Sequence, residues 1–371
     1  MKICIDINTS LKSAIAGLGR FTVTLTQGLI SESPDIELVL YYKKGLFEFN
    51  KRPPKFKGAK ITYVNGYKNK SIAADICVSS SYDFDPPENS KYVLIVHDLI
   101  PLAAEQFSSR DAKKRLLDQL PKRLAQADCV VCISKTTQYD LERFYPWVKG
   151  KSTVIYNGVD ESFTRINNKA EVKSVLKKLG IDGEYILFVS AAEPRKNLIS
   201  LLRAFSIVKR DFPDLKLVLT GKKVDSYGEI EKFMKTCGHN RDIKYLGYVN
   251  KDDLAYLYNG AQAFVYPSYY EGFGLPIVEA FACGTAVVTS NVSSMKEIGE
   301  GSAELVDPYN AEDVASGVRR VLSDRDYRNR LIDQGLKKSR LLSAREMARQ
   351  YSELLGAIGG RSAQNGGHEK H

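Results

Sequence analysis

The stretch AFVYPSYYEGFGLPIVEAFACGTAVVTS, residues 263–290, decides the fold. An apolar run, AFVYPS (263–268), gives way to a loop with Gly272 and Gly274, then to the helical run PIVEAFA, a stop at Gly284 and a second apolar run, TAVVTS (285–290). Strand, loop, helix and strand in that order make one crossover unit of a parallel sheet. The near-continuous apolar character of both strands means that both sheet faces are covered. The same alternation extends in both directions. Strands are expected at KICIDI (2–7), ELVLYY (37–42), KITYVN (60–65), ADICVSS (74–80), YVLIVHD (92–98) and DCVVCIS (128–134), and again at YILFVS (185–190), KLVLTG (216–221), IKYLGYV (243–249) and AELVDP (303–308). A polar stretch between about 158 and 172 separates the two series. They predict two doubly wound α/β domains in tandem, residues 1–158 and 172–342.

A chain of 371 residues suits two cores better than one. Its 43% hydrophobic and 26% charged composition is that of a soluble globular protein and excludes disorder, collagen and coiled coil as global descriptions. No apolar run approaches the roughly 18 residues of a membrane span. The opening MKICIDINTS does not read as a secretory signal, because acid and amide groups follow its short apolar stretch. Six cysteines, most of them in apolar segments, do not make a disulfide framework, so the expectation is a reduced, cytoplasmic protein.

The net charge of +10 is uneven: residues 1–158 hold 23 Lys/Arg against 16 Asp/Glu, and residues 159–371 hold 31 against 28. A basic front half suits an anionic partner, or is simply a solvated lysine-rich surface. Gly180 and Gly284 read as helix stops, and Ser343 with Glu346 has the spacing of a capping box that opens a final helix, about 343–357. The tail 360–371 lacks apolar periodicity and is expected to be disordered.

Open parallel sheets bind ligands outside the carboxyl ends of their strands, so with two such domains the expected site is the cleft between them. The loop after AFVYPS is the richest. Gly272 and Gly274 allow a tight turn, Pro276 suits a first helical turn, and the helix N-terminus offers amides to a diphosphate or to sugar hydroxyls. Glu271 and Glu279 lie eight residues apart, and each carboxylate can accept two hydrogen bonds from a diol. Glu279 sits in an otherwise apolar helix, where an idle carboxylate is unexpected. After YILFVS come Glu193, Pro194, Arg195, Lys196 and Asn197, with Asn197 read as a helix N-cap and the two cations as a clamp able to neutralise a leaving diphosphate without a metal. In the front half, Gly17-Leu18-Gly19-Arg20-Phe21 opens a helix after the first strand but lacks the third glycine of a dinucleotide fingerprint. His97-Asp98 ends the strand YVLIV, facing the expected cleft.

Other signals have plainer readings. Asp83-Phe84-Asp85 and Asp324-Arg325-Asp326 both match a D-x-D metal tripeptide, which shows how readily that pattern arises, and no catalytic metal is expected. Cys129 and Cys132 lie three apart in a strand, so they point to opposite faces and make neither a zinc nor a redox pair. The segment from Arg110 to Arg123 sets basic residues around Ala112, Leu116 and Leu120. It is read as a solvated helix face or as a contact with an anionic membrane, interrupted or kinked at Pro121.

Taken together, GLGRF (17–21), VHDLIP (96–101), ADCVVCISKTT (127–137), VIYNGVD (154–160), PRKN (194–197) and YPSYYEGFGLPIVEAFACGTAVVTSNVSS (266–294) make the chain resemble the retaining glycosyltransferases of the family 4 type. The resemblance implies the GT-B architecture, two Rossmann-like domains facing a central cleft, with the final helix crossing back onto the first domain. It also implies roles. Glu279 would bind the ribose; the amides of Phe273, Gly274 and Leu275, in the turn opened by Gly272, would hold the donor sugar with Glu271. Arg195 and Lys196 would hold the diphosphate, Gly17 and Gly19 would approach it, His97 would contact the sugar, and the base would pack near Tyr248 and Val249. The segment 299–308 departs from the family pattern at Glu300 and Ser302, away from these roles.

The expected function is a metal-independent, cofactor-free transfer of a hexose, with GDP-mannose the leading donor and UDP-hexoses next. The acceptor is a glycan or lipid-linked glycan at the inner face of the plasma membrane. A non-enzymatic two-domain sugar receptor would share the cleft but has no need of the Arg-Lys pair. A nucleic-acid-binding protein would interleave aromatics along a basic groove, whereas the 21 tyrosines here are scattered, and no nucleic-acid partner is expected.

Overall fold

The computed structural model describes residues 1–11, 17–44, 52–66, 72–224 and 227–365. The chain divides into two units: Met1–Gly158 with Ser343–His371, and Val159–Leu342.

In the first unit the strands are β1 (Lys2–Asp6), β2 (Glu37–Tyr42), β3 (Lys60–Asn65), β4 (Ile76–Ser79), β5 (Lys91–Val96), β6 (Cys129–Cys132) and β7 (Ser152–Val154). They form one sheet in the order β3-β2-β1-β4-β5-β6-β7, with every neighbouring pair parallel. The central strands are buried as their unbroken apolar runs require. Strand β7 has no counterpart in the sequence reading. It holds a single apolar residue in three and lies half-buried on the sheet edge, so it carries no hydrophobic signature.

Helices cover this sheet, and two of them, Gly17–Glu32 and Ala344–Asn365, pack along each other. Their closest approach is at Gly28, where an added Cβ would lie 2.5 Å from the Cβ of Ala348. Half of the expected capping box forms: the Glu346 amide donates to Ser343 Oγ at 3.2 Å. The reciprocal half does not, because the Glu346 carboxylate is taken by Arg349 and Gln350. The final helix continues to Asn365, through Gly359 and past the expected end at about 357. A glycine inside a helix costs only about 1 kcal/mol, and at Gly359 it permits close packing, since a Cβ there would meet Met1 Sδ at 2.7 Å. Of the tail expected to be disordered, 360–365 is therefore helical, and 366–371 lies outside the described residues.

The helix Arg110–Gln126 runs through Pro121 without interruption. The carbonyl that loses its bond belongs to exposed Leu117, while Leu116, Leu120 and Leu124 are buried. Three of the helix's cations are paired within the unit: Lys113 with Glu105, Arg115 with Asp83 and Arg123 with Asp85. Gln119 Nε2 adds a bond to Asp83 at 2.7 Å. The first D-x-D tripeptide is thus fastened to this helix, and Asp324 of the second caps the helix Arg325–Leu341 by accepting from the Tyr327 amide at 2.8 Å.

The second unit holds β8 (Tyr185–Val189), β9 (Lys216–Thr220), β10 (Ile243–Tyr245), β11 (Ala263–Tyr266), β12 (Val287–Ser290) and β13 (Glu304–Val306), in the parallel order β10-β9-β8-β11-β12-β13. Strand β10 is shorter than the run IKYLGYV suggests. Gly247 turns the chain at φ 71°, and its carbonyl accepts from the Gly221 amide and Thr220 Oγ1, both at 2.8 Å. Each sheet reverses its strand order once, between β1 and β4 and between β8 and β11. These switch points are where doubly wound sheets bind ligands. Among the described residues no helix is long and apolar enough to cross a membrane.

Replacing Gly28 with Val should cost about 1–3 kcal/mol by overpacking against Ala348, read as a lower midpoint in urea unfolding followed by circular dichroism.

Candidate active site

The loop after β8 and the loop after β11 flank the switch point of the second unit, and one carboxylate joins them. Glu271 is buried. Its Oε2 pairs with Arg195 Nη1 at 2.7 Å and its Oε1 with Lys196 Nζ at 2.6 Å. Oε1 also accepts from Tyr266 Oη at 2.9 Å and Ser268 Oγ at 2.7 Å. Burial alone would raise the Glu271 pKa, but the charges and hydrogen bonds of Lys196 and Arg195 overcome it and hold the carboxyl at about 2. Burial likewise opposes the charge on Arg195, and the Glu271 carboxylate more than offsets it, so the guanidinium is held above its ordinary range. The Tyr266 phenol is pushed well up by burial and by the same carboxylate, and stays a neutral donor.

The local sequence explains this convergence. Pro194 starts a short turn, Pro194–Lys196, at the end of which Asn197 takes φ 57°. Asn197 occupies the expected N-cap position but makes no cap bond. Its amide donates to the carbonyls of Pro267 and Pro308, at 2.9 and 2.7 Å, tying the loops after β11 and β13 to its own. The Arg195 carbonyl accepts from the Tyr269 amide at 2.9 Å and Ser268 Oγ at 3.0 Å, and Arg195 Nη1 donates to the Tyr270 carbonyl at 2.6 Å. The backbone of Glu271 is gripped from the first turn of the helix Ser293–Gly299, just after β12. Its amide donates to Ser293 Oγ at 3.2 Å, and its carbonyl accepts from Ser293 Oγ at 2.7 Å and Ser294 Oγ at 2.8 Å. Ser293 holds this position at φ 54°, a left-handed conformation rare outside glycine.

Beyond Glu271 the turn behaves largely as expected. Gly274 is left-handed at φ 98°, Pro276 lies in the first turn of the helix Leu275–Ala282, and Phe273 is buried. Gly272 does not adopt a positive φ, so the turn rests on Gly274 alone. Glu279 does not face solvent. It is 2% exposed, and its Oε2 accepts from Tyr258 Oη at 2.9 Å. Tyr248 is exposed and Val249 half-buried just past β10.

The remaining nominated residues belong to the first unit. Gly17 is exposed and Gly19 buried at the start of their helix. A cavity of about 520 Å³ opens at this unit's switch point, with Thr9 from the loop after β1, Tyr82 from the loop after β4 and His97 from the loop after β5 in its wall. His97 Nε2 is buried with no hydrogen-bond partner among the described residues, and the ring meets Phe21 edge-on at 4.7 Å between centroids. Burial lowers the His97 pKa to about 4, so the imidazole is neutral at pH 7. Tyr266, Tyr258, Ser293 and Ser294 have no assigned role in the sequence analysis. The serines had a usable signal: two hydroxyls just beyond a strand predicted to neighbour β11.

Residues 173–338 match the family described as glycosyl transferases group 1, and residues 15–163 match glycosyltransferase family 4. The chain is a glycosyltransferase of the family 4 type. It is 28% identical over 263 residues to O-antigen chain mannosyltransferase B of Escherichia coli, covering 70% of this chain and 68% of that one. It is also 28% identical over 270 residues to the serotype-specific mannosyltransferase WbdA of Escherichia coli, where it spans 33% of the relative's length. Sucrose-phosphate synthase from Thermosynechococcus elongatus shares the fold with a TM-score of 0.78 at 19% identity, over 97% of this chain and 99% of that one. The fold is GT-B, as the sequence resemblance implied.

Two outcomes follow for this glycosyltransferase. Folding lowers the Glu271 pKa from 4.5 to about 2, so the unfolded chain binds the proton more tightly. The stabilisation is full above about 4.5 and drains away as pH falls towards 2, and its size at neutral pH is on the order of 3 kcal/mol. Glu271→Gln should lower stability at pH 7 and flatten the acid limb of a melting-temperature profile. In a histidine NMR titration, the His97 resonance should move near pH 4 and stay still through 6.5.

Proposed function

We propose that this enzyme transfers mannose from GDP-mannose, with retention at the anomeric carbon and without a metal ion, to a glycan or lipid-linked acceptor in cell-surface polysaccharide synthesis. The observation that carries the reading is the buried cluster in which Arg195 and Lys196 share Glu271. Arg195 also pairs with the more exposed Glu193 at 3.2 Å, so both cations are fixed at the switch point in advance, where a diphosphate gaining charge as it departs is stabilised by preorganised donors. The mannosyl donor is supported by the resemblance to O-antigen mannosyltransferases.

In this mechanism Arg195 and Lys196 hold the diphosphate, and Glu271 with the turn through Gly272, Phe273, Gly274 and Leu275 holds the sugar. Glu279 binds the ribose, and the base lies by Tyr248 and Val249. Gly17 and Gly19 approach the phosphates, and neutral His97 bonds a sugar hydroxyl. Same-face displacement suits these residues because no second carboxylate is assigned as a nucleophile, and the barrier is then lowered mainly through the leaving group. The reaction takes place in the cytoplasm, with peripheral contact to an anionic membrane that carries the acceptor.

Turnover measured on a nucleotide-sugar panel should be highest with GDP-mannose and unchanged by EDTA, and GDP should raise the melting temperature more than UDP or dTDP. Preference for UDP would reassign the donor. Arg195→Ala or Lys196→Ala should slow turnover on the order of 10²–10³-fold, and near-normal turnover in the double variant would refute the leaving-group role.

A further inference from the structure

The membrane contact proposed above needs a surface, and the helix Arg110–Gln126 does not supply one: its leucines at 116, 120 and 124 are buried and three of its cations are already paired. A different face of the first unit has the required chemistry. The helix Lys135–Phe144 presents Lys135, Tyr139 and Arg143, all exposed, at intervals of four residues. That spacing lines them up in one stripe about 12 Å long. The short turn Pro146–Val148 follows with Trp147, and Lys149 comes directly after it. Tyr139 is 68% exposed and Trp147, the chain's one tryptophan, 52%.

The two acids of this segment are turned to other work. Asp140 is buried, and Glu142 accepts from Ser152 Oγ at 2.6 Å. Lys151 fixes the tryptophan's surroundings: its Nζ sits 5.3 Å from the Trp147 ring centroid and donates to the carbonyls of Leu124 and Ala127. Exposed Trp and Tyr among cations, with one acid buried and the other held by a serine, match the boundary between anionic headgroups and acyl chains. There the rings sit at headgroup depth and each Lys or Arg adds attraction.

We propose that the face formed by Lys135, Tyr139, Arg143, Trp147 and Lys149 docks this glycosyltransferase on an anionic lipid surface. The inference rests on the membrane-associated acceptor of the proposed function. It is separable from that reading by experiment, because none of these residues belongs to the donor site.

The single tryptophan is its own reporter. With vesicles of phosphatidylglycerol and phosphatidylcholine, Trp147 emission should shift to the blue and intensify. With phosphatidylcholine alone it should not, and the shift should reverse in high salt. The double variant Arg143→Gln, Lys149→Gln should weaken partitioning at least tenfold by vesicle sedimentation. Tyr139→Ser should weaken it severalfold, and all variants should keep wild-type turnover on a water-soluble acceptor. Equal binding to both vesicle types, unchanged partitioning of the variants, or a blue shift produced only by a neutral mannan would each overturn the proposal. Loss of turnover with every nucleotide-sugar while the vesicle shift persists would sink the donor reading and leave this one standing.

Discussion

The second unit is organised around one buried carboxylate. Glu271 carries two cations and two hydroxyl donors on its oxygens, while two serines at the start of the helix Ser293–Gly299 grip its backbone. Buried ion pairs seldom add net stability over well-packed apolar residues, whereas removing one partner leaves an uncompensated charge and is costly. Such a cluster is therefore poorly explained as a stability device. It fixes the mutual geometry of the loops after β8 and β11 and keeps two cations in place before any anion arrives. Preorganisation of this kind is the largest electrostatic contribution a site can make, because nothing has to reorganise as charge develops.

The backbone around the cluster supports the same reading. Among the described residues two non-glycines have a positive φ, Asn197 and Ser293, and both belong to the loops that hold Glu271. Each such conformation costs of order 1–3 kcal/mol and survives only where its surroundings over-determine it. At Asn197 the surroundings are two proline carbonyls from neighbouring strand ends, and at Ser293 they are both backbone polar groups of Glu271. Strain and buried charge coincide at one switch point, where a functional demand can maintain both.

Most of the fold was legible because a strand buried on both faces writes itself as an unbroken apolar run. The failures share a cause: the deciding contact lies outside the local pattern. Strand β7 is held by its neighbour rather than by its own hydrophobicity. Pro121 is tolerated because its unpaired carbonyl belongs to an exposed residue, and the final helix passes Gly359 because Met1 packs there. The site was legible in part for the same reason. Arg195, Lys196 and Glu271 stand out as polar residues at strand ends, but their meeting depends on β8 and β11 being neighbours, which is topology. Tyr266 and Tyr258 read as ordinary strand and helix aromatics, and only the fold shows that their hydroxyls end on Glu271 and Glu279.

Charge is where sequence alone misleads most. The basic residues of 110–123 form a dense cationic run in the front half, yet the fold turns three of them onto Glu105, Asp83 and Asp85. The segment 135–149 looks unremarkable as a string, with cations and acids interleaved, and the fold buries Asp140, engages Glu142 with Ser152 and leaves Lys135, Arg143 and Lys149 exposed. A cation affects a partner according to what already compensates it, and the helical period of 3.6 decides which charges share a face. The same logic separates the two switch points. In the second unit two cations are held in place beside a strained turn by Glu271 and Glu193. In the first, half-buried His97 is held neutral in the cavity wall, with Nε2 buried and unpartnered among the described residues. In a glycosyl transfer the leaving group is the charged component and the sugar is neutral. One fold used twice carries different chemistry at its two switch points by varying the residues at its strand ends.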